Sequence, residues 1–242
     1  MRQEYVEVYE RLEREHWWWI SRRKIVLAAV NNLPLDRNNR PTVLDIGCGA
    51  GLGIASMSDH FSCTGIEPDP LLQERARENT HVPILQAQLP LPADLFDSKF
   101  DLILLLDVLE HVLDDREGLK SAAEYLKPGG FIIINVPAMR WLWSSHDEIN
   151  QHHRRYIANQ LEAVIRDAGF RIHTMRYWGS FLAPLAFLGR RLSFKNEDRA
   201  HEIAIPNSLV NNLMIRSVLI EYSLTRVIPI PMGLSLLAVV SR

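Results

Sequence analysis

Two cysteines in 242 residues, Cys48 and Cys63, are too few for a disulfide framework, and they do not form a CxxC pair. Their apolar surroundings, LDIGCGAG and FSCTGI, predict buried thiols. A membrane span is missing as well. The longest weakly polar runs, FLAPLAFLG (181–189) and VIPIPMGLSLLAVV (227–240), fall short of the roughly 20 residues that cross a bilayer, and Pro and Gly interrupt both. The N-terminal stretch MRQEYVEVYERLERE is charged and has no apolar h-region, so no signal peptide is expected. Nor does one sign of charge dominate: a formal net charge of −2 gives no global attraction to nucleic acid or to an anionic membrane. There is no repeat, low-complexity tract or long linker. With 47% hydrophobic and 23% charged residues, the chain has the composition of an ordinary globular protein with a substantial core. A cytoplasmic location is expected.

After a turn-rich joint, NNLPLDRNNRP (31–41), strand-like and helix-like segments alternate. TVLDIG (42–47), SCTGIE (62–67), VPILQA (82–87), FDLILLL (100–106), FIIINV (131–136), FRIHTMRYW (170–178) and GLSLLAVV (233–240) read as strands. FDLILLL is a continuous apolar run, the mark of a strand covered on both faces. Helical patterns fall between them, including PLLQERAREN (70–79), residues 115–126 up to the turn signal KPGG, and ANQLEAVIRDAG (158–169) with its terminal glycine. Such alternation predicts an α/β fold: a seven-stranded, mostly parallel, Rossmann-like sheet with helices on both faces. The expected divisions are an N-terminal helical lid (1–40), a core (41–178), a helical insertion (179–232) and the last strand (233–242). Ligands of such sheets bind beyond the carboxyl ends of the strands, so functional residues should follow each strand.

Directly after the first strand comes DIGCGAGLG (45–53), whose glycines let the backbone turn tightly and approach a ligand closely. The dinucleotide fingerprint G-x-G-x-x-G does not fit, because Leu52 and Ile54 stand where it needs glycine. The second strand ends in Glu67, followed by Pro68; a carboxylate there can accept hydrogen bonds from both hydroxyls of a ribose. The G-x-G-x-G spacing resembles motif I of the class I S-adenosylmethionine (SAM) methyltransferases, in the branch that includes ubiquinone-biosynthesis-like enzymes. FDLILLLDVLEHV (100–112) and LKPGGFIIINVP (126–137) resemble that family's fourth strand and the following helix end and strand. The resemblance covers roughly residues 40–175. It implies SAM as cofactor, held by Asp45, Gly47, Cys48, Gly49 and Gly51, by Glu67 and Pro68, and near the fourth strand's end by Leu106, Asp107 and Val108. Relatives commonly carry an acidic residue against the adenine amino group; here Gln86, Ala87 and Gln88 occupy that position.

Methyl transfer from SAM depends chiefly on holding the acceptor in line, and a base is needed only where the acceptor loses a proton. Histidine suits that task near neutral pH. His111, after the fourth strand, and His146 are the candidates. The segment SSHDEINQHHRRY (144–156) resembles an HD-x(4)-H-x-RRY pattern of a methyltransferase subgroup. This implies that His146, His152, Arg154, Arg155 and Tyr156 bind or enclose a small-molecule acceptor, the arginines suiting an anionic one, with a structural salt bridge from one arginine as the alternative. Zinc would require three or four ligands, with no cysteine nearby, and no metal is expected. A SAM-binding regulatory protein and another SAM-using transferase are the rival readings.

EHWWWISRRK (15–24) holds three of the six tryptophans. It resembles an aromatic-basic box preceding motif I in the same subgroup, comprising His16, Trp17, Trp18, Trp19, Arg22 and Arg23. At helical spacing Trp18 and Arg22 share a face, as do Trp19 and Arg23. An aromatic wall suits adenine and sulfonium, and an arginine fork suits the SAM carboxylate. Trp18, Arg22 and Arg23 are therefore expected at the cofactor, on a helix folded over the cleft. The insertion carries apolar stripes, SLVNNLMIRSVLIEYSLTRV (208–227) among them. These predict amphipathic helices packed on the domain or in a homodimer, with a lid or a peripheral membrane contact as the alternatives.

Overall fold

A computed structural model of the chain describes residues 3–193 and 204–242. Seven strands form one sheet: β1 (Thr42–Ile46), β2 (Ser62–Ile66), β3 (Ile84–Leu85), β4 (Phe100–Leu106), β5 (Leu126–Pro137), β6 (Arg171–Trp178) and β7 (Ser235–Ser241). Their order is β3-β2-β1-β4-β5-β7-β6; the first five pair in parallel, and β7 runs antiparallel between β5 and β6. The helices are α1 (Gln3–Glu15), α2 (Trp17–Asn31), α3 (Leu52–Ala55), α4 (Pro70–Asn79), α5 (Asp115–Ala123), α6 (Ser145–Ile149), α7 (Ala158–Asp167), α8 (Ala183–Ser193) and α9 (Ser208–Leu224).

The central strands are the apolar runs seen in the sequence. Leu102, Ile103, Leu104 and Leu105 of β4 are buried between Val43, Leu44 and Ile46 on one side and Ile132, Ile133 and Ile134 on the other. Fully burying one such side chain stabilises the fold by about 1.5–3 kcal/mol, which is why these strands take the middle of the sheet. Strand order reverses between β1 and β4. The carboxyl ends of β1, β2 and β4 therefore surround the crevice where this architecture binds ligands.

Some boundaries differ from the sequence expectation. VPILQA shrinks to the two-residue β3, which pairs only with β2 at the sheet edge. KPGG (127–130) does not end the element before it; it lies within β5, where the register against β4 shifts between Phe100 and Leu102. The turn signal is absorbed as a strand irregularity.

Two capped helices frame the crevice. Asp69 caps α4 by accepting from the Leu71 and Leu72 amides, with Pro70 in the first turn. His16 caps α2, its Nδ1 accepting from the Trp18 amide at 3.2 Å. Asn211 of α9 holds the elbow between α1 and α2: its Oδ1 accepts from Trp17 N (2.8 Å) and its Nδ2 donates to the Glu15 carbonyl (2.9 Å). α9 thus packs on α2 and β6. Its outer face leaves Leu209, Leu213, Ile220 and Leu224 exposed, as α8 leaves Leu185 and Leu188. Part of the 179–232 insertion, residues 194–203, lies outside the described residues. No described helix is long and apolar enough to cross a membrane.

Candidate functional site

The loop from β1 to α3 turns through Gly47, Gly49 and Gly51, all at positive φ. At Gly49 (φ +59°) a Cβ would lie 2.6 Å from Glu13 Oε1 and 2.9 Å from the Tyr9 ring, so α1 lies directly over this glycine. Glu67 anchors the loop from below, accepting from Gly49 N at 2.9 Å and from Asp69 N at 3.0 Å. Glu67, expected at a ribose, thus has each of its two oxygens engaged by a backbone amide. Pro68 lies on the adjoining rim, where Gln86 donates to its carbonyl (3.2 Å) beside Ala87 and Gln88. The buried Cys48 thiol is pushed up by desolvation, which makes it an inert wall of the loop.

Four carboxylates converge on this crevice. Asp45 is buried and its Oδ1 has no hydrogen-bond partner; Glu13 is buried and its Oε2 has none. Burial raises Asp45, Glu13 and Glu67 to about 7 each, a pull that Arg22 opposes at Asp45 and Glu13. The fourth, Asp107, follows β4 in a left-handed conformation (φ 61°), a setting that asparagine and aspartate tolerate best. Val108 reaches over Gly47 beside it, so closely that a Cβ on that glycine would meet its Cγ2 at 2.6 Å.

Arg22 does face the crevice, but its charge is engaged within the chain. Nη1 meets Asp107 Oδ2 at 2.5 Å and Leu106 O at 3.4 Å, and the guanidinium lies over the Trp18 ring, 5.1 Å from its centroid. Burial works against this cation, and Asp107, Tyr9 and Glu13 more than offset it. Arg23 donates to the Glu13 carbonyl at 3.3 Å. Arg22, expected with Arg23 to meet a carboxylate, is thus paired with Asp107 inside the chain, and both arginines line the cleft. Trp18 packs on Trp178 with centroids 5.7 Å apart, whereas Trp19 meets Tyr9 edge-on and walls this shallow cleft with Arg22, Met57 and Leu106. Tyr9 and Glu13 were missed from the sequence; the signal was the periodic Val6, Tyr9, Leu12, Glu13 face of α1.

After β5, the 144–156 segment is tied to that strand's end by Tyr156 N on Pro137 O (2.9 Å) and Met139 N on Tyr156 O (3.0 Å). Arg155 grips Asp147 with two bonds, Nε to Oδ1 at 2.8 Å and Nη2 to Oδ2 at 2.9 Å, and both residues are buried. Asp147 also accepts from His152 Nδ1 (2.9 Å), and His152 and Arg155 together hold its carboxyl far below the usual range despite burial. Arg154 binds Asp115 Oδ2 (2.7 Å) and the Leu113 carbonyl, and the Tyr156 hydroxyl donates to the same Asp115 oxygen (2.8 Å). Arg154, Arg155 and Tyr156 thus have partners inside the chain, and the salt-bridge alternative describes both arginines: each cation has its carboxylate. The residues brought together at the open edge are His111 and His152, edge to face with centroids 4.7 Å apart. Burial and His152 lower His111 to about 4, so its imidazole is neutral. His146 stands farther back, its ring 6.3 Å from that of His152 and bonded to Asn150.

Known proteins share both the sequence and this frame. A family model described as a methyltransferase domain matches residues 18–175. A ubiquinone biosynthesis O-methyltransferase of Erwinia tasmaniensis is 30% identical over 142 residues, covering 52% of this chain and 58% of the relative. The mitochondrial ubiquinone biosynthesis O-methyltransferase of Schizosaccharomyces pombe is 28% identical over 148 residues, covering 54% of each. The chain therefore spans a little over half the length of these curated relatives. Among solved structures, a chain of the complex between the Haloferax volcanii Trm112 methyltransferase activator and a methyltransferase superposes with a TM-score of 0.63. It is 19% identical, with 98% of this chain and 93% of that one covered. Haemonchus contortus phosphoethanolamine N-methyltransferase 2, solved with SAM, gives a TM-score of 0.57 at 15% identity, covering 90% of this chain and 52% of the other; both likenesses are of fold. With the family model spanning well over half its length, this chain belongs to the class I SAM-dependent methyltransferase domain family.

Proposed function

We propose that the chain transfers the methyl group of SAM to a small-molecule acceptor seated against the His111–His152 edge, leaving S-adenosylhomocysteine. The observation that carries this reading is the acid-rich cradle at Gly49, where the buried Asp45 and Glu13 each present an oxygen without a partner. SAM carries a sulfonium and an ammonium, two positive charges that such a cradle lacks and that would offset the cost of burying its carboxylates. The chain's residues fit that cofactor. Gly49 allows close backbone approach, Glu67 would accept from the ribose hydroxyls, and the edge of Trp19 and Tyr9 offers an aromatic surface.

The acceptor side supplies position and proton handling. Asp147 fixes the His152 tautomer with hydrogen on Nδ1, which leaves Nε2 able to accept. His111 and His152 together lower the cost of removing an acceptor proton, while the Arg155–Asp147 pair keeps the segment in place. Calorimetry with SAM and with S-adenosylhomocysteine tests the cofactor, and a labelled-SAM screen against metabolite pools finds the acceptor. Binding of neither molecule would overturn the reading. With an acceptor in hand, replacing His111 and His152 together by alanine should lower the rate by about 10²–10⁴-fold. An unchanged rate would remove the histidine edge from the chemistry.

A further inference from the structure

Beside the methyl-transfer cleft, Glu110 is fully buried and neither of its carboxylate oxygens has a hydrogen-bond partner. A carboxyl in that state is costly unless something binds it. Its neighbours are two imidazoles: a Glu110 oxygen, a His111 ring nitrogen and a His152 ring nitrogen all lie within 4.8 Å of one another. A tetrahedral ion with bonds near 2.0–2.1 Å needs its ligand atoms about 3.3 Å apart, so binding would draw these three groups inward from their present spread.

The surroundings are those of a metal site's outer layer. His152 gives its Nδ1 hydrogen to the buried Asp147, and a ring nitrogen of His111 donates to the Asn150 carbonyl. Each imidazole thus keeps one nitrogen with a free lone pair, its orientation set by the partner on the other nitrogen. The two ligand segments are joined through the main chain, His153 N donating to the Glu110 carbonyl at 2.8 Å. The nearby guanidiniums of Arg22 and Arg155 are neutralised by Asp107 and Asp147, so neither stands as an unpaired cation against a metal.

We propose that Glu110, His111 and His152 bind one divalent first-row transition-metal cation, with the remaining coordination positions open toward the acceptor. Two imidazoles and one carboxylate suit zinc, cobalt or iron better than magnesium or calcium, which prefer all-oxygen sites. With the cation bound, both imidazole lone pairs are its ligands, so the cation takes over from the free imidazoles the task of lowering the cost of deprotonating an acceptor hydroxyl. Only that consequence rests on the methyltransferase reading; metal binding itself does not.

The test uses the full chain stripped with a chelator and titrated with Co²⁺ alone, followed through its visible d–d bands, then with Zn²⁺ in competition. One equivalent should bind and be displaced by one equivalent of Zn²⁺. Glu110→Gln and His152→Ala should weaken binding by about 100-fold or more, and Asp147→Asn by about 10–100-fold through the outer layer. His111→Ala, at the open edge where folding is least at risk, should also lose binding. Absence of saturable bands, or wild-type affinity in both Glu110→Gln and His111→Ala, would overturn the site. SAM calorimetry on the same preparations separates the two proposals. Co²⁺ binding without SAM binding refutes the cofactor reading alone, and the reverse refutes the metal alone.

Discussion

The carboxylates around Gly49 make cofactor binding depend on pH in a direction that can be worked out. Asp45, Glu13 and Glu67 are raised by burial from ordinary carboxylate values to about 7. Between about pH 4 and about pH 7 the folded chain therefore holds protons that the unfolded chain has released. Each of these carboxylates lowers stability by about 1.4 kcal/mol for every pH unit climbed through that window, and the loss levels off above about pH 7. A cationic ligand reverses the penalty because it favours the ionised form. A group with a pKa of about 7 is ionised in about one molecule in eleven at pH 6 and about ten in eleven at pH 8. SAM affinity should therefore rise about tenfold over that interval for each carboxylate that must ionise, and about a hundredfold if Asp45 and Glu13 both must. Calorimetry at the two pH values, repeated in buffers of different ionisation enthalpy, would read both the affinity and the protons released. Glu13→Gln should remove about one tenfold step. An affinity that does not change with pH, with no proton release, would refute the electrostatic account of the cradle.

Gly49→Ala should lower the melting temperature and weaken SAM binding together, because a positive φ costs about 1–2 kcal/mol and the new Cβ meets Glu13 and Tyr9; an unchanged thermal melt would show that α1 does not press on the loop. Asp107→Asn keeps a residue that tolerates φ 61° but leaves the mostly buried Arg22 without its counter-charge. Denaturant unfolding should then show a loss of about 3 kcal/mol, and a loss below about 1 kcal/mol would mean the pair is screened by solvent. Asn211→Ala frees the α1–α2 elbow, so hydrogen exchange in α1 should quicken with a stability loss of about 1–3 kcal/mol, whereas unchanged exchange would locate the elbow's restraint elsewhere.

What was legible in the sequence is what depends on neighbours along the chain. β1, β4 and β5 announce themselves because strands buried on both faces must be continuously apolar. The glycine loop and Glu67 are legible because a tight turn and the next strand's end lie at fixed spacing. Contacts made by distant elements were not legible. Tyr9 and Glu13 reach Gly49 only because α1 folds back at the elbow held by Asn211, a residue near the other end of the chain. In the RRY segment the residue types were noticed but their partners were not: Asp115 and Asp147 sit in separate elements, and no local pattern pairs them with Arg154 and Arg155. Glu110 was passed over because a glutamate beside a histidine reads as a solvated pair until the sheet and the 144–156 segment close over it.

The tryptophan triplet serves several neighbours at once. Successive helical residues point about 100° apart, so three consecutive indoles cannot share one face. They are all half-buried only because α2 is wedged among several neighbours. Trp17 lies against His16 at the elbow, Trp18 against Trp178 of β6, and Trp19 against Tyr9 of α1. Trp18 also closes a circuit. Trp178 donates to Asn135 (2.9 Å), Asn135 donates to Asp107 (2.9 Å), Asp107 pairs with Arg22, and Arg22 lies over Trp18. The circuit runs from the antiparallel end of the sheet to the left-handed residue after β4. Asp107 can be held in that unfavourable conformation because both of its oxygens are fixed by partners on different elements. The aromatic-basic stretch therefore locks the backbone that shapes the crevice, while Trp19 also walls the cleft beside Arg22 and Arg23.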